Sequence, residues 1–106
     1  MEHITIKSWA EEDRPREKLM LKGKHVLSDA ELIAILISSG NAEETAVELS
    51  KRILAGAENN LNELSRQSVY DLIKYKGIGE AKAITIVAAL ELGRRRKTED
   101  KLIRGQ

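Results

Sequence analysis

The segment from Leu72 to Ala83 limits the possible folds of this chain most strongly, because two glycines separate two stretches of helical pattern. Gly77 and Gly79 flank Ile78. Glycines so placed let the backbone turn sharply with positive φ, while the apolar residue between them can face the core. Apolar residues then recur at three- and four-residue spacing as far as Leu90, which is typical of an amphipathic helix. The segment therefore predicts two helices joined by a tight turn.

The start of the second of these helices is a candidate anion-binding site. Its first N–H groups have no partner within the helix, and the helix dipole adds positive charge there. Lysines flank the turn, and three arginines lie farther along the helix. The alternative is that the glycines only cap two helices. We expect the phosphate-binding residues to be Lys76, Gly77, Ile78, Gly79, Glu80, Ala81 and Lys82, with Arg94, Arg95 and Arg96 reaching a neighbouring phosphate.

The charge distribution favours the binding interpretation. The net charge is only +1, but residues 74–97 carry seven lysines and arginines against two glutamates. This local excess would attract a polyanion. The chain has only three aromatic residues, too few for a platform on which single-stranded bases stack, so contact through backbone phosphate is expected. A second basic cluster, Arg14 to Lys24, is interpreted as one exposed helix face with Asp13 and Glu17 as local partners rather than as an extension of this surface.

Turn and capping signals predict an all-α fold, a compact bundle of about five to six short helices. Residues 1–12 are expected to form an extended arm with Trp9 packed on the body, residues 13–96 the helical domain, and residues 97–106 a linker. A first helix should end before Gly23, and Gly40 and Gly56 should end two more. The predicted helix starts are Ser28 with Glu31, Asn41 with Glu44, Asn59-Asn60 before a connector at 61–66, and Ser68 with Asp71.

An offset of 37 residues superposes Gly40 on Gly77 and Ala46 on Ala83. We therefore expect residues 31–55 to be a degenerate copy of the turn-containing helix pair, so that the domain holds two such pairs and a connector helix. Because Asn41-Ala42 replace the Ile-Gly step and two glutamates follow, this first copy is expected to act as scaffold. Chance periodicity of two helices is the alternative.

Nothing in the sequence predicts catalysis within the chain. There is no cysteine. The two histidines, His3 and His25, are far apart in the sequence, and neither has another histidine or clustered carboxylates at metal-ligand spacing. We expect no enzyme activity, no cofactor and no metal ion in these residues. The absence of a signal sequence and of a long apolar run predicts a cytoplasmic protein without membrane contact.

The glycine turn with its lysines and the downstream alanine resembles the helix-hairpin-helix pattern. Three segments, 14–19, 27–36 and 76–83, in this order and spacing also resemble the N-terminal helical domain of RadC-like proteins. This resemblance covers residues 4–96 and implies a bacterial domain associated with DNA repair. It implies a following JAB/MPN metalloprotease-like domain, whose His-x-His motif and downstream aspartate are not in this chain. The sequence departs from the family around residues 38–44, which argues against a part for that loop in DNA binding.

Two functions follow as hypotheses. The first is a sequence-independent DNA-binding module that makes weak contact with the backbone of duplex or branched DNA. The second is a protein-interaction or regulatory domain that positions the JAB/MPN-like domain without touching DNA. Its motivations are the weak overall charge and the apolar helix from Leu32 to Ile37, part of which could remain exposed as a docking face.

Overall fold

The computed structural model describes residues 13–104, with the side chains of residues 13–99. Within this range there are six α-helices, one short 3-10 turn and no strand, which confirms the predicted all-α class. The predicted N-terminal arm and the packing of Trp9 fall outside the described residues. The helices are α1 (13–22), α2 (Asp29–Ile37), α3 (Ala46–Gly56), α4 (Leu61–Ser65), α5 (Val69–Ile73) and α6 (Glu80–Arg104), with the 3-10 turn at Lys24–Val26.

Side-chain caps start four of these helices. Ser28, Asn60 and Ser68 each accept a hydrogen bond from the backbone three residues on, which confirms the predicted starts of α2, α4 and α5. At Ser28 and Ser68 the N–H of the cap residue in turn donates to the carboxylate of the acidic residue at the third helical position. Each such reciprocal pair satisfies two backbone donors that the helix itself leaves free, and so fixes where the helix begins.

The predicted start of α3 at Asn41 is wrong. The cap is Thr45, whose hydroxyl accepts from the Glu48 N–H while the Glu48 carboxylate accepts from the Thr45 N–H. The Asn41 side-chain oxygen instead accepts from the amides of Glu43 and Glu44, at 2.8 and 2.9 Å. Asn41 therefore builds a turn inside the loop before α3, because an asparagine side chain can bond its neighbouring backbone without starting a helix.

The predicted end of α2 at Gly40 also needs correction. The helix ends at Ile37, and Ser38 caps it with a left-handed φ of 71°. Gly40 is required for a different reason: a Cβ there would lie 2.0 Å from the carbonyl oxygen of Glu44. The loop folds back on itself so closely that only a residue without a side chain fits.

The core lies between α2, α3 and α6, with α4 and α5 closing it. Among the helix pairs, α2 packs on α3 and α6, while α6 also contacts α4 and α5. The most deeply buried large side chains are Ile37, Leu49, Ile53, Leu64, Leu72 and Ile86. Each such side chain contributes about 1.5–3 kcal/mol by leaving water. Burial of the apolar stripes therefore determines how the short helices are placed, since helices of five residues are not stable alone.

The proposed internal duplication stays a prediction, but the two turns differ. Both segments contain a helix, a glycine-containing loop and a second helix near the expected offset. In the later segment Gly77 has the positive φ of 95°, whereas in the earlier one it is Ser38 rather than Gly40 that has positive φ. The helix after the earlier loop also begins at Ala46, three residues later than the offset from Glu80 would place it.

The last helix is longer than the sequence suggested. α6 has 25 residues and is helical as far as Arg104, so most of the stretch expected to be a linker continues the helix. None of the helices in the described range combines the length and the apolar character that a membrane span requires.

Candidate nucleic-acid interface

Two residues, Gly77 and Ile78, pack the turn between α5 and α6 against the core. Gly77 has φ 95°, and a Cβ there would lie 3.0 Å from Asn41 Cβ and 3.2 Å from Leu49 Cδ2. Ile78 is only 4% exposed, and its N–H donates to the carbonyl oxygen of Tyr75 at 3.0 Å. The left-handed conformation favours a glycine at position 77, as the sequence predicted for this turn, and the close packing leaves little room for a side chain.

Gly79 differs from Gly77 both in its backbone conformation and in its packing. Its φ is not positive, and a Cβ built on it would meet no atom within 4 Å. Its carbonyl oxygen accepts the first bond of α6, from the N–H of Ala83 at 3.0 Å. The fold therefore has no steric need for a glycine here, and the space beside it is open to another molecule.

Gly79 opens α6 and has no side chain, so it cannot cap the helix as Ser28, Thr45, Asn60 and Ser68 cap α2, α3, α4 and α5. The amides of Glu80, Ala81 and Lys82 precede the first backbone bond within the helix. In the described part of the chain no side chain accepts a hydrogen bond from them. Such amides, at the positive end of a helix dipole, suit a phosphate oxygen.

A second loop, residues 38–45 between α2 and α3, lies against this turn. The Asn41 amide nitrogen donates to the carbonyl oxygen of Lys76 at 3.0 Å. The ammonium of Lys82 donates to the carbonyl and hydroxyl oxygens of Ser39, at 2.9 and 3.0 Å. We call the surface formed by residues 38–45, the turn at 74–79 and the first turn of α6 the two-loop surface. Sequence reasoning missed this juxtaposition, because the residues in contact are more than 30 positions apart.

The two glutamates of the second loop are both paired with cations. Lys76 Nζ lies 2.8 Å from a Glu43 carboxylate oxygen, with both side chains about two-thirds exposed (66% and 65%). Glu44 accepts two hydrogen bonds from Arg52, each at 2.9 Å, and one from Asn41 at 2.8 Å. These contacts, that from Arg52 first, lower the pKa of Glu44. Glu44 is therefore held as an anion within the loop's own structure, while Glu43 competes for one of the two lysines expected to bind phosphate.

Arg52 also links this loop to the end of α5. Its guanidinium carbon lies 5.5 Å from the centre of the Tyr75 ring, within the range of a cation–π contact. Tyr75 in turn covers Gly56, where a Cβ would lie 1.9 Å from the tyrosine hydroxyl oxygen. The two loops are thus held together by side chains of α3 as well as by their direct contacts.

The three arginines of α6 do not join this surface. With a rise of about 1.5 Å per residue, Arg94 lies about 21 Å along the helix from Glu80, so it cannot reach a phosphate next to the one at the turn. Arg94 and Arg95 both donate to Glu91, and these bonds lower the pKa of Glu91 to about 2. Arg96 is exposed and has no ion-pair partner among the described side chains. Any contact these arginines make with a polyanion is therefore separate from the turn.

The basic cluster around α1 is only partly explained by local partners. Arg16 donates to Asp13 at 3.1 Å, as expected, but its second terminal nitrogen donates to the Ser38 hydroxyl at 3.0 Å. Lys18 pairs with Glu31 of α2 rather than with Glu17. The pKa of Glu31 is lowered chiefly by the hydrogen bond from the Ser28 backbone and further by Lys18. Arg16 thus brings a positive charge to the edge of the two-loop surface.

The described residues contain no group of three or more histidine, cysteine or acidic side chains that could hold a metal ion. The polar groups that the two-loop surface offers to a ligand are backbone amides, hydroxyls and cationic side chains.

Comparison with known proteins identifies the family. The family model described as UPF0758 N-terminal matches residues 6–84. A UPF0758 protein of Flavobacterium johnsoniae is 68% identical over 98 residues, 92% of this chain and 42% of that protein. One of Porphyromonas gingivalis is 48% identical over 93 residues, 87% of this chain and 41% of that protein. One of Staphylococcus aureus strain Newman is 46% identical over 103 residues, 95% of this chain and 45% of that protein.

The chain thus spans between 41% and 45% of the length of these relatives. Their descriptions name no enzymatic activity, and no solved structure matches the chain. The chain belongs to the UPF0758 family, the RadC-like family that its sequence segments resemble, and corresponds to the N-terminal domain of that family.

Proposed function

We propose that this domain binds the backbone of DNA without reading base sequence, and that α5, the turn and α6 act as a helix-hairpin-helix element. The observation that carries the proposal is the start of α6, where open space adjoins Gly79 and no described side chain accepts from the amides of Glu80, Ala81 and Lys82. A phosphate oxygen placed there would accept from the amides of Glu80 to Lys82. A part in DNA repair, as the RadC-like resemblance implies, belongs to the same proposal.

The side chains around this point support a polyanion as ligand. Lys82 has no carboxylate partner among the described residues; its ammonium is held by the neutral oxygens of Ser39. Its charge is therefore available to an incoming phosphate. Amides and ammonium groups recognise phosphate rather than base edges, so the contact would position the domain on DNA without selecting a sequence.

Titration of a fluorescently labelled duplex at several salt concentrations tests the proposal. We expect micromolar or weaker affinity at physiological salt, equal for two duplexes of unrelated sequence. The logarithm of the binding constant should fall with the logarithm of the salt concentration with a slope of about −2 to −4, because few phosphates are contacted. Absence of binding at low salt, or unchanged binding by a folded Lys82→Glu variant, would contradict it.

Glu43 gives a second test, because its carboxylate holds Lys76 at 2.8 Å and adds negative charge beside the turn. We expect Glu43→Gln to tighten duplex binding by about two- to fivefold, the range that corresponds to loss of one exposed ion pair. Glu63→Gln is the matched control, since Glu63 of α4 is paired with Arg66, the residue that follows that helix. Equal effects of the two variants would show that only the net charge matters and that Lys76 has no specific part.

The alternative of a docking domain had two motivations, the weak overall charge of the chain and an exposed apolar surface on α2. Ile33, Ala34 and Ile37 of that helix are buried, and Leu32 is 40% exposed. Half of the six residues from Leu32 to Ile37 are thus already buried within the domain itself. Chemical-shift mapping separates the two functions. DNA should perturb residues 76–82 first under our proposal, whereas under the alternative DNA should perturb nothing and only an added JAB/MPN-like domain should perturb the chain.

A further inference from the structure

Two adjacent serines of the loop between α2 and α3 each accept a hydrogen bond from a cationic side chain, and the two cations belong to different helices. Arg16 of α1 donates to the Ser38 hydroxyl at 3.0 Å, and Lys82 of α6 donates to the Ser39 hydroxyl at 3.0 Å. Both serines are exposed. The two cations come from sequence positions 66 residues apart, so the fold, and not local sequence, brings their charges to one short stretch of backbone.

The backbone at this point has an uncommon conformation. Ser38 has φ 71° and ψ −37°, and the N–H of Ser39 donates to the carbonyl oxygen of Ile37 at 2.8 Å. This is a three-residue turn with a left-handed central residue, which is rare and strained for any residue other than glycine. Backbone of this kind persists where the surrounding structure holds it, and it is concentrated at binding sites.

The balance of charge around the two serines favours the binding of an anion. Glu44 is occupied by Arg52 and Asn41, and Glu43 by Lys76. Lys82 has no carboxylate partner among residues 13–99, and Arg16 shares its guanidinium between Asp13 and Ser38. Among the described side chains, two cations and two hydroxyl groups therefore meet with one carboxylate, that of Asp13, directly bound to them.

We propose that Ser38, Ser39, Arg16 and Lys82 form a second phosphodiester-binding site of this domain. In the free domain the serine oxygens accept from the cations; with DNA bound, the hydroxyls and both cations donate to phosphate oxygens instead. Lys82 lies in the first turn of α6, so it belongs to both sites and joins them into one continuous contact. The inference rests on the proposed function and extends it, because it places in the interface a loop that the sequence assigned to the scaffold.

The experiment measures duplex affinity and its salt slope for wild type, Arg16→Gln and Ser39→Ala. We expect Arg16→Gln to weaken binding by about three- to tenfold and to reduce the salt slope by about 1, since one phosphate contact is lost. Ser39→Ala should weaken binding with the slope unchanged, because no charge is removed. Arg66→Gln is the matched control, since Arg66 has the same kind of acidic partner three residues away.

Ser38→Gly separates binding from folding. Glycine adopts left-handed φ without strain, so this variant should be at least as stable as wild type while it loses one hydroxyl and binds duplex more weakly. If wild type and Arg66→Gln bind duplex but Arg16→Gln, Ser39→Ala and Ser38→Gly bind it with wild-type affinity and slope, the second site is overturned and the turn remains the interface. If wild type itself does not bind at low salt, the proposed function fails and the second site fails with it.

Discussion

Replacing Gly40 with alanine is expected to lower the free energy of unfolding by about 3 kcal/mol, at the upper end of the cost of overpacking. A Cβ at this position would lie 2.0 Å from the Glu44 carbonyl oxygen and 2.5 Å from the Thr45 carbonyl carbon. These are backbone atoms of the segment that caps α3, so no flexible side chain can move aside. A loss of this size is a large part of the stability of a domain this small. Urea unfolding followed by circular dichroism measures it.

Gly93→Ala is the matched control for that substitution. Gly93 is exposed within α6, and a Cβ there meets nothing within 4 Å. The same chemical change should therefore raise stability by about 0.5–1 kcal/mol, because alanine favours the helix more than glycine does. If Gly40→Ala unfolds at the same urea concentration as wild type, the loop from 38 to 45 is not packed as the structure has it.

The helix starts show which parts of the fold sequence alone can predict. Ser28 with Glu31 and Ser68 with Asp71 are local signals, since both partners of each hydrogen bond lie within four residues. Asn41-x-x-Glu44 carries the same kind of signal as Thr45-x-x-Glu48, and only the second starts a helix. The sequence pattern cannot separate them, because the choice depends on the fold-back at Gly40.

The candidate site was predictable only in part, for a similar reason. The glycines, Ile78 and the open start of α6 follow from the residues of one short segment. The contacts of Asn41 with Lys76 and of Ser39 with Lys82 join positions 35 and 43 residues apart, and no local rule pairs them. The separation of Arg94 from the turn depends on an unbroken helix between them, which apolar periodicity indicated only as far as Leu90.

Replacing Gly79 with aspartate is expected to weaken duplex binding at least about tenfold while the domain stays folded. The open space at Gly79 accommodates a side chain. An aspartate at this position would accept from the free amides of α6, as Ser28 and Thr45 do on their helices, and this cap should add a few tenths of a kcal/mol to stability. The same carboxylate would then occupy the amides that we assign to phosphate and would repel a polyanion.

A gain in stability together with a loss of binding is the result that distinguishes a phosphate site from a structural turn, because damage to a turn lowers both. Gly79→Asn separates the two causes of the loss: asparagine caps the helix without adding charge, so its binding should lie between those of wild type and the aspartate variant. Duplex titration and urea unfolding of the same samples measure both quantities. An aspartate variant that is folded and binds as wild type would remove the α6 start from the interface. Any binding would then have to be carried by the cations and the hydroxyls of Ser38 and Ser39, and the open space at Gly79 would have no part in it.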